Sequence, residues 1–276
     1  MKLSCLPVSY FKEIIEGRKT ISQWADEAKL LGLDGIDLSV ILFKSYDSAY
    51  LLNIRREIEE RNLTIAVVNT YPDFTHPDSA ERERQFVKME EHIAIASQVG
   101  AKMVRITAGQ AHPETRKKEG IVWAVESFKR LSQIANYNNI RLVYENHSKP
   151  GVWNYPDFSM PKDIFLEICE KISETQIGIL FDTANPLVCG DDPKFILEQV
   201  IHRVICVHAA DTKMTGSLSP VIIGTGVVPF GELFARLSQF GYDGWISIEE
   251  ASNMGESGVV EAVRFVRYVW EKVGGR

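Results

Sequence analysis

The sequence predicts an α/β protein built as one closed (β/α)8 barrel, and three observations in its 276 residues predict it. Short β-branched runs alternate with long amphipathic segments eight times, from one end of the chain to the other. No linker or low-complexity stretch separates the units, and about 250 residues is an ordinary length for one barrel. The last four strands each close on a residue of metal-ligand type: Glu145, Asp182, His208 and Glu249. The competing arrangement is a doubly wound open sheet, which brings a glycine-rich dinucleotide turn after its first strand. Here that turn is Pro7-Val8-Ser9-Tyr10, which cannot cradle a pyrophosphate.

The elements follow in order. Lys2 to Val8 reads as the first strand and Ile21 to Leu31 as a helix, with Trp24, Ala28 and Leu31 on one face. Gly32-Leu33-Asp34-Gly35 stops that helix and turns into the second strand, Ile36 to Val40. A helix from Ser48 to Arg61 precedes the third strand, Leu63 to Thr70. Asp78 starts a long charged helix ending at Gly100, and Lys102 to Thr107 is the fourth strand. A helix from Thr115 to Tyr137 leads into Ile140 to Glu145. The second half repeats the rhythm: helix Asp163 to Ile172, strand Ile177 to Asp182, helix Pro193 to Ile201, strand Val204 to His208. Pro229 stands at a helix start, where its missing N–H costs nothing, and the helix runs on through Leu233 to Phe240. Trp245 to Glu249 is the eighth strand, and Gly258 to Val273 the last helix.

Composition narrows the class. Hydrophobic residues make up 45% and charged residues 25%, so the chain can bury a sizeable core. The net charge of −6, with no Lys/Arg run, points away from a nucleic-acid partner. No apolar run approaches the roughly 18 residues a membrane span needs. The start, Met1-Lys2-Leu3-Ser4-Cys5, lacks a signal-peptide pattern, so a cytoplasmic protein with no membrane partner is expected. Cys5, Cys169, Cys189 and Cys206 have no Cys-x-x-Cys spacing and read as reduced, mostly buried thiols. A homo-oligomer is left open by the sequence.

Side chains alternate along a strand, so Glu145 faces the same way as Val143, Asp182 as Leu180, His208 as Cys206 and Glu249 as Ser247. Glu249 is therefore a better ligand candidate than Glu250. Strands five to eight are consecutive around half the barrel, so their ends converge at its mouth. A lone strand-end acid is usually a helix cap or a solvated rim group. Four at successive strand ends are a different matter, because carboxylates gathered without a cation repel one another. Three carboxylates and one imidazole form a mainly hard-oxygen set that suits one divalent ion, Mn²⁺ first, with Mg²⁺, Co²⁺, Zn²⁺ or iron compatible. Two connections are longer than a barrel needs, Ala108 to Glu114 and Ser148 to Met160, and both leave C-terminal strand ends as candidate lids or substrate walls. Trp153 and Tyr155 in the second could stack on a sugar face; the alternative is an ordinary loop with packed aromatics.

Several segments carry a resemblance. They are Tyr144-Glu145-Asn146-His147, Phe181-Asp182-Thr183-Ala184-Asn185-Pro186, Val207-His208-Ala209-Ala210-Asp211, Gly224-Thr225-Gly226-Val227-Val228-Pro229-Phe230 and Gly241-Tyr242-Asp243-Gly244-Trp245-Ile246-Ser247-Ile248-Glu249. Together they resemble the sugar phosphate isomerase/epimerase family, the xylose isomerase-like TIM barrels, over nearly the whole chain. That family includes ketose 3-epimerases, hydroxypyruvate isomerases, inosose and dehydroshikimate dehydratases and endonuclease IV. The resemblance implies that Glu145, Asp182, His208 and Glu249 bind one divalent ion and that Glu145 and Glu249 also carry protons on opposite faces of a carbohydrate substrate. Two substrate-holding positions of many ketose epimerases are changed: Asn185 stands where they have a histidine, and Lys213 with Met214 where they have an arginine. Asn185 can still donate to a substrate oxygen, or be a turn residue before Pro186. His147 reads as a substrate contact or an outer-sphere donor. Arg105, Asn69 and His112 fall near strand ends or mouth loops, where substrate binding and a rim hydrogen bond are both open.

The leading expectation is thus a metal-dependent isomerase or epimerase of a sugar, keto-sugar or related polyol, with a lyase of the inosose or dehydroshikimate dehydratase type as its rival. A non-catalytic sugar-binding barrel and an endonuclease stand further off. The endonuclease would want more strand-end histidines and a basic duplex-binding face, whereas His76, His92 and His202 lie in loop or helix patterns.

Overall fold

The computed structural model describes residues 1–274. Eight parallel strands form the barrel wall: β1 (Lys2–Leu6), β2 (Gly35–Ser39), β3 (Thr64–Asn69), β4 (Met103–Ile106), β5 (Arg141–Glu145), β6 (Gly178–Asp182), β7 (Val204–Ala209) and β8 (Trp245–Glu249). Each pairs with its sequence neighbour from β2 to β8, and β8 pairs with β1. The remaining seam, between β1 and β2, is bridged at its base: the Asp34 N–H donates to the Leu3 carbonyl and the Leu3 N–H to Asp34 Oδ2, each at 2.8 Å. The fold is the barrel the sequence predicts, as a single domain, with strand ends displaced by no more than a residue or two.

The helices form where local chemistry favours them. Thr20 and Gln23 make a reciprocal capping box at the start of helix Ile21–Leu30, each side chain accepting the other's backbone N–H, at 3.0 and 2.8 Å. Asp78 caps helix Ser79–Gln98 and Asp192 caps helix Pro193–Val200. Two short helices, Phe11–Ile15 and Asn185–Val188, were not anticipated. At one turn or so each, they are too brief to show a 3.6-residue period. The second one redefines Asn185, which opens a helix rather than a simple turn before Pro186. All four cysteines are free, with Cys5, Cys169 and Cys206 buried. No helix among the described residues is long and apolar enough to cross a membrane.

Apolar side chains pack in two places. The larger cluster lies between the strands and the helix ring. The smaller fills the barrel's interior and includes Val67, Met103, Val143, Leu180, Cys206 and Trp245. Two residues further along each of β3 to β7, on the same face, stand Asn69, Arg105, Glu145, Asp182 and His208. An apolar plug thus floors the barrel, and a polar layer sits directly on it at the C-terminal mouth. The Trp245 ring that forms part of the plug leaves no room at Gly35, where an added Cβ would meet the Thr64 carbonyl oxygen at 2.4 Å and the indole at 3.0 Å. Gly35→Ala is therefore expected to destabilise the fold by roughly 1–3 kcal/mol, read as a lower urea midpoint. An unchanged midpoint would mean that the β2–β3 pairing spreads to admit the methyl group.

Candidate functional site

Glu145 and Asp182 end β5 and β6 inside the mouth, His208 is the last residue but one of β7, and Glu249 ends β8 beside them. One potential ligand atom from each lies within 4.8 Å of all the others. His208 is the centre of the group, its Nδ1 lying 2.8 Å from Glu145 Oε1 and 2.8 Å from Glu249 Oε2. The N–H groups of Ala184 and Asn185 donate to Asp182 Oδ1 at 2.8 and 2.6 Å, which fixes that carboxylate against the start of the short helix. Glu249 is the most accessible, with 28% of its side chain exposed, while the other three are buried. Neighbouring Glu250 is buried outside the group and accepts from the Ser252 N–H, so alternation separates the two acids as the sequence implies.

Electrostatics in this chamber are dominated by burial and by like charges. Burial works against ionising Glu145, but Arg105 and then His208 outweigh it and hold its carboxyl well below the usual range. Asp182 goes the other way: burial first, then Glu249 and Glu145, push its pKa well above the usual value. Burial likewise opposes charging His208, yet Glu145, Asp37 and Glu249 together raise it. Three carboxylates sharing one buried chamber are the setting a divalent cation suits, and oxygen donors with one imidazole fit Mn²⁺, Co²⁺ or Zn²⁺.

Arg105 does not point freely at a substrate. Its Nη1 donates to Glu145 Oε2 at 2.8 Å in a buried ion pair, and its guanidinium lies over the Tyr71 ring at 4.8 Å. Asn185 Oδ1 accepts from the Ser148 hydroxyl at 2.6 Å. His147 is driven down to about 4, mainly by burial, and its Nδ1 faces Asp157 Oδ2 at 3.8 Å. Burial also raises Asp157, to about 8, although the Ser159 backbone and hydroxyl both donate to it at 2.7 Å. Arg105, His147, Asn185 and Asn69 line a cavity of about 310 Å³ together with Asp182, His208 and Glu249.

The other candidates lie elsewhere. Lys213 lines neither this cavity nor the one beside it; its backbone N–H donates to Ser219 in the loop beyond β7. His112 Nε2 is 2.8 Å from Asp73 Oδ2. Trp153 is buried against His147, ring centroids 6.1 Å apart, and lines the adjoining cavity together with His112. Tyr155 packs edge-on against His112 instead of facing either cavity. The two long loops are walls, not free lids. Gln110 joins them, its Oε1 accepting from the Asn154 and Tyr155 N–H groups, while the Phe158 N–H donates to Gly109 at 2.7 Å.

Asp37 was missed. It is fully buried in the middle of β2, accepts from the Ser247 hydroxyl at 2.6 Å, and its Oδ2 stands 3.8 Å from His208 Nε2, the ring nitrogen turned away from the cluster. It thus faces the back of the imidazole, the position from which a carboxylate orients a ligating histidine. A charged residue in mid-strand, in Gly35-Ile36-Asp37-Leu38-Ser39, was the available signal.

An eight-stranded barrel with acids and a histidine converging at its C-terminal mouth defines a class of (β/α)8 proteins that carry their chemistry at that face. The chain belongs to the xylose isomerase-like TIM barrel family, whose pattern it matches over residues 25–269. An inosose dehydratase of Clostridium tetani is 24% identical over 249 residues, covering 79% of this chain and 80% of that protein. Among solved structures, a D-tagatose 3-epimerase-like protein superposes with a TM-score of 0.80 at 19% identity, covering 99% of this chain and 98% of the other. The IOLI protein, described with a binding zinc atom, gives 0.81 at 16% identity, with 99% of each chain covered.

Proposed function

We propose that the protein is a divalent-metal-dependent isomerase or epimerase of a sugar, keto-sugar or related polyol. The observation that carries this reading is the meeting of Glu145, Asp182, His208 and Glu249 within 4.8 Å at the barrel mouth. These four residues would hold the ion, with Mn²⁺ the first candidate and the zinc described in the IOLI neighbour in favour of a broader choice. When bound, such an ion polarises a carbonyl and its neighbouring hydroxyl, which acidifies the adjoining C–H.

The rest falls to the protein's own groups. Glu249 lines the cavity from β8, Glu145 stands in the same four-residue group from β5, and each is a carboxylate that can accept a proton. Removal of a proton by one and return by the other on the opposite face inverts the carbon. Arg105 keeps Glu145 ionised and fixes its direction, while Asp37 faces the back of the His208 ring. His147, Asn185 and Asn69 offer hydrogen-bonding groups to substrate hydroxyls along the wall. The same proton abstraction followed by loss of a β-hydroxyl is a dehydration, and the inosose dehydratase relative favours this second reading equally.

One experiment separates them. Protein loaded with Mn²⁺ is incubated in D₂O with a panel of keto-sugars and inososes. Deuterium gained beside the carbonyl, with product mass otherwise unchanged, is the result expected of an epimerase or isomerase; a product lighter by one water identifies a dehydratase. No exchange and no water loss from any member, in protein shown by elemental mass spectrometry to carry metal, would overturn both.

A further inference from the structure

A second cavity, of about 570 Å³, opens beside the catalytic chamber and is nearly twice its volume. Ile41, Tyr71 and Val152 line both, so the two adjoin along one shared wall. The second is bounded by the loops after β2 and β3, by helix Ser79–Gln98 and by the tips of the two long loops. Each volume alone falls within the range of roughly 300–1,000 Å³ that ligand clefts span.

The lining says what kind of group would fit. Asp73 and Glu81 are set against Lys88, with no arginine and no concentration of one sign, so the lining favours an uncharged group over a phosphate or other polyanion. Gln85, Gln110, His76 and His112 add hydrogen-bonding groups, and Trp153 and Tyr46 add flat aromatic surface. Rings and paired donors and acceptors together suit a sugar face. His92 supplies an independent observation. It stands in this wall on the helix, only 4% exposed, and both ring nitrogens are shielded and without a hydrogen-bond partner. Its nearest ring is Tyr46, edge-on at 6.3 Å, which satisfies neither nitrogen. Buried polar groups in folded proteins nearly always find partners, so this imidazole has two hydrogen bonds to gain from a ligand hydroxyl that it meets by a turn of its ring toward the cavity. Burial, reinforced by Lys88, takes His92 down to about 4. At neutral pH the ring therefore offers one donor and one acceptor, the pairing a hydroxyl group matches.

We propose that the two cavities form one bipartite site, in which the second takes an uncharged hydroxylated group joined to the reacting sugar, so that the substrate is a keto-sugar glycoside of about disaccharide size. This rests on the proton-transfer reading of the chamber and adds the substrate's shape to it. A free monosaccharide fills only the chamber and leaves His92 and Trp153 without contact.

The test compares one hexose that carries its ketone at a ring carbon other than the anomeric one in three forms, free, as its methyl glycoside and as its glucosyl glycoside, by deuterium exchange in D₂O with Mn²⁺-loaded protein. The glucosyl form is expected to have the highest kcat/KM, at least tenfold above the free sugar, mostly through a lower KM. His92→Phe is expected to collapse that ratio toward one, and His92→Asn, which keeps a donor and an acceptor, to retain most of it. Gln85→Trp obstructs the same cavity from a partly exposed helix position, so it tests the idea even where His92→Phe folds poorly. Exchange that is equally fast for the free and glucosyl forms, or a preference untouched by His92→Phe and Gln85→Trp, overturns the bipartite site and leaves the chamber's chemistry standing. Absence of exchange from all three forms, and from the inososes and keto-sugars of the wider panel, overturns the chemistry and the bipartite site together.

Discussion

Glu145→Gln is expected to lower carbonyl-adjacent exchange by about 10²–10⁴-fold, the usual worth of a positioned general base, and to remove most of the bound metal. The carboxylate has two buried contacts at once, Arg105 on Oε2 and His208 Nδ1 on Oε1, both at 2.8 Å. Glutamine keeps the volume but brings no charge, so it can neither accept the proton nor balance the guanidinium. Elemental mass spectrometry and exchange kinetics on the same preparation measure the two losses separately. Glu249→Gln should cost comparable turnover with less effect on stability, because its side chain is 28% exposed and has no guanidinium partner. Full metal content with exchange within tenfold of the parent would take Glu145 out of both roles.

Arg105→Met should produce the largest stability change among single substitutions in the mouth. The pair it breaks is buried on both sides, with 4% and 1% of the two side chains exposed. Removing one partner of a buried ion pair typically costs about 3–5 kcal/mol, because the remaining charge stays in a low-dielectric site without compensation. The contact with the Tyr71 ring at 4.8 Å goes too. Urea unfolding in the presence of a chelator should show the full loss. With saturating Mn²⁺ the difference from the parent should narrow, since a cation that binds only the folded state supplies positive charge beside Glu145 and stabilises by mass action. A chelated variant within about 1 kcal/mol of the parent, the range of a solvent-exposed pair, would show that Glu145 does not depend on Arg105 for its charge balance.

The barrel and the four converging residues were legible because both depend on short-range rules. Strand alternation placed Glu145 over Val143, Asp182 over Leu180 and His208 over Cys206, and consecutive strands had to bring their ends together. It also chose Glu249 over Glu250. The short helices Phe11–Ile15 and Asn185–Val188 left no periodic trace, being about a turn long. The long loops were recognisable by length, but not their hydrogen-bonded union through Gln110, which joins residues more than forty positions apart.

The architecture and the layer of metal-ligand-type side chains at the mouth are therefore readable from the chain, since periodicity and residue chemistry are local properties. Partners were settled by the tertiary structure. It made Arg105, in the cavity wall, the counter-charge of Glu145, set Asp37 behind His208 from the far side of the barrel, placed Trp153 and His112 at a second cavity and left Lys213 outside both. Each of those outcomes depends on where strands and loops distant in the chain come to lie, and a side chain's partner across a closed barrel is fixed by the barrel's geometry, not by its neighbours in sequence.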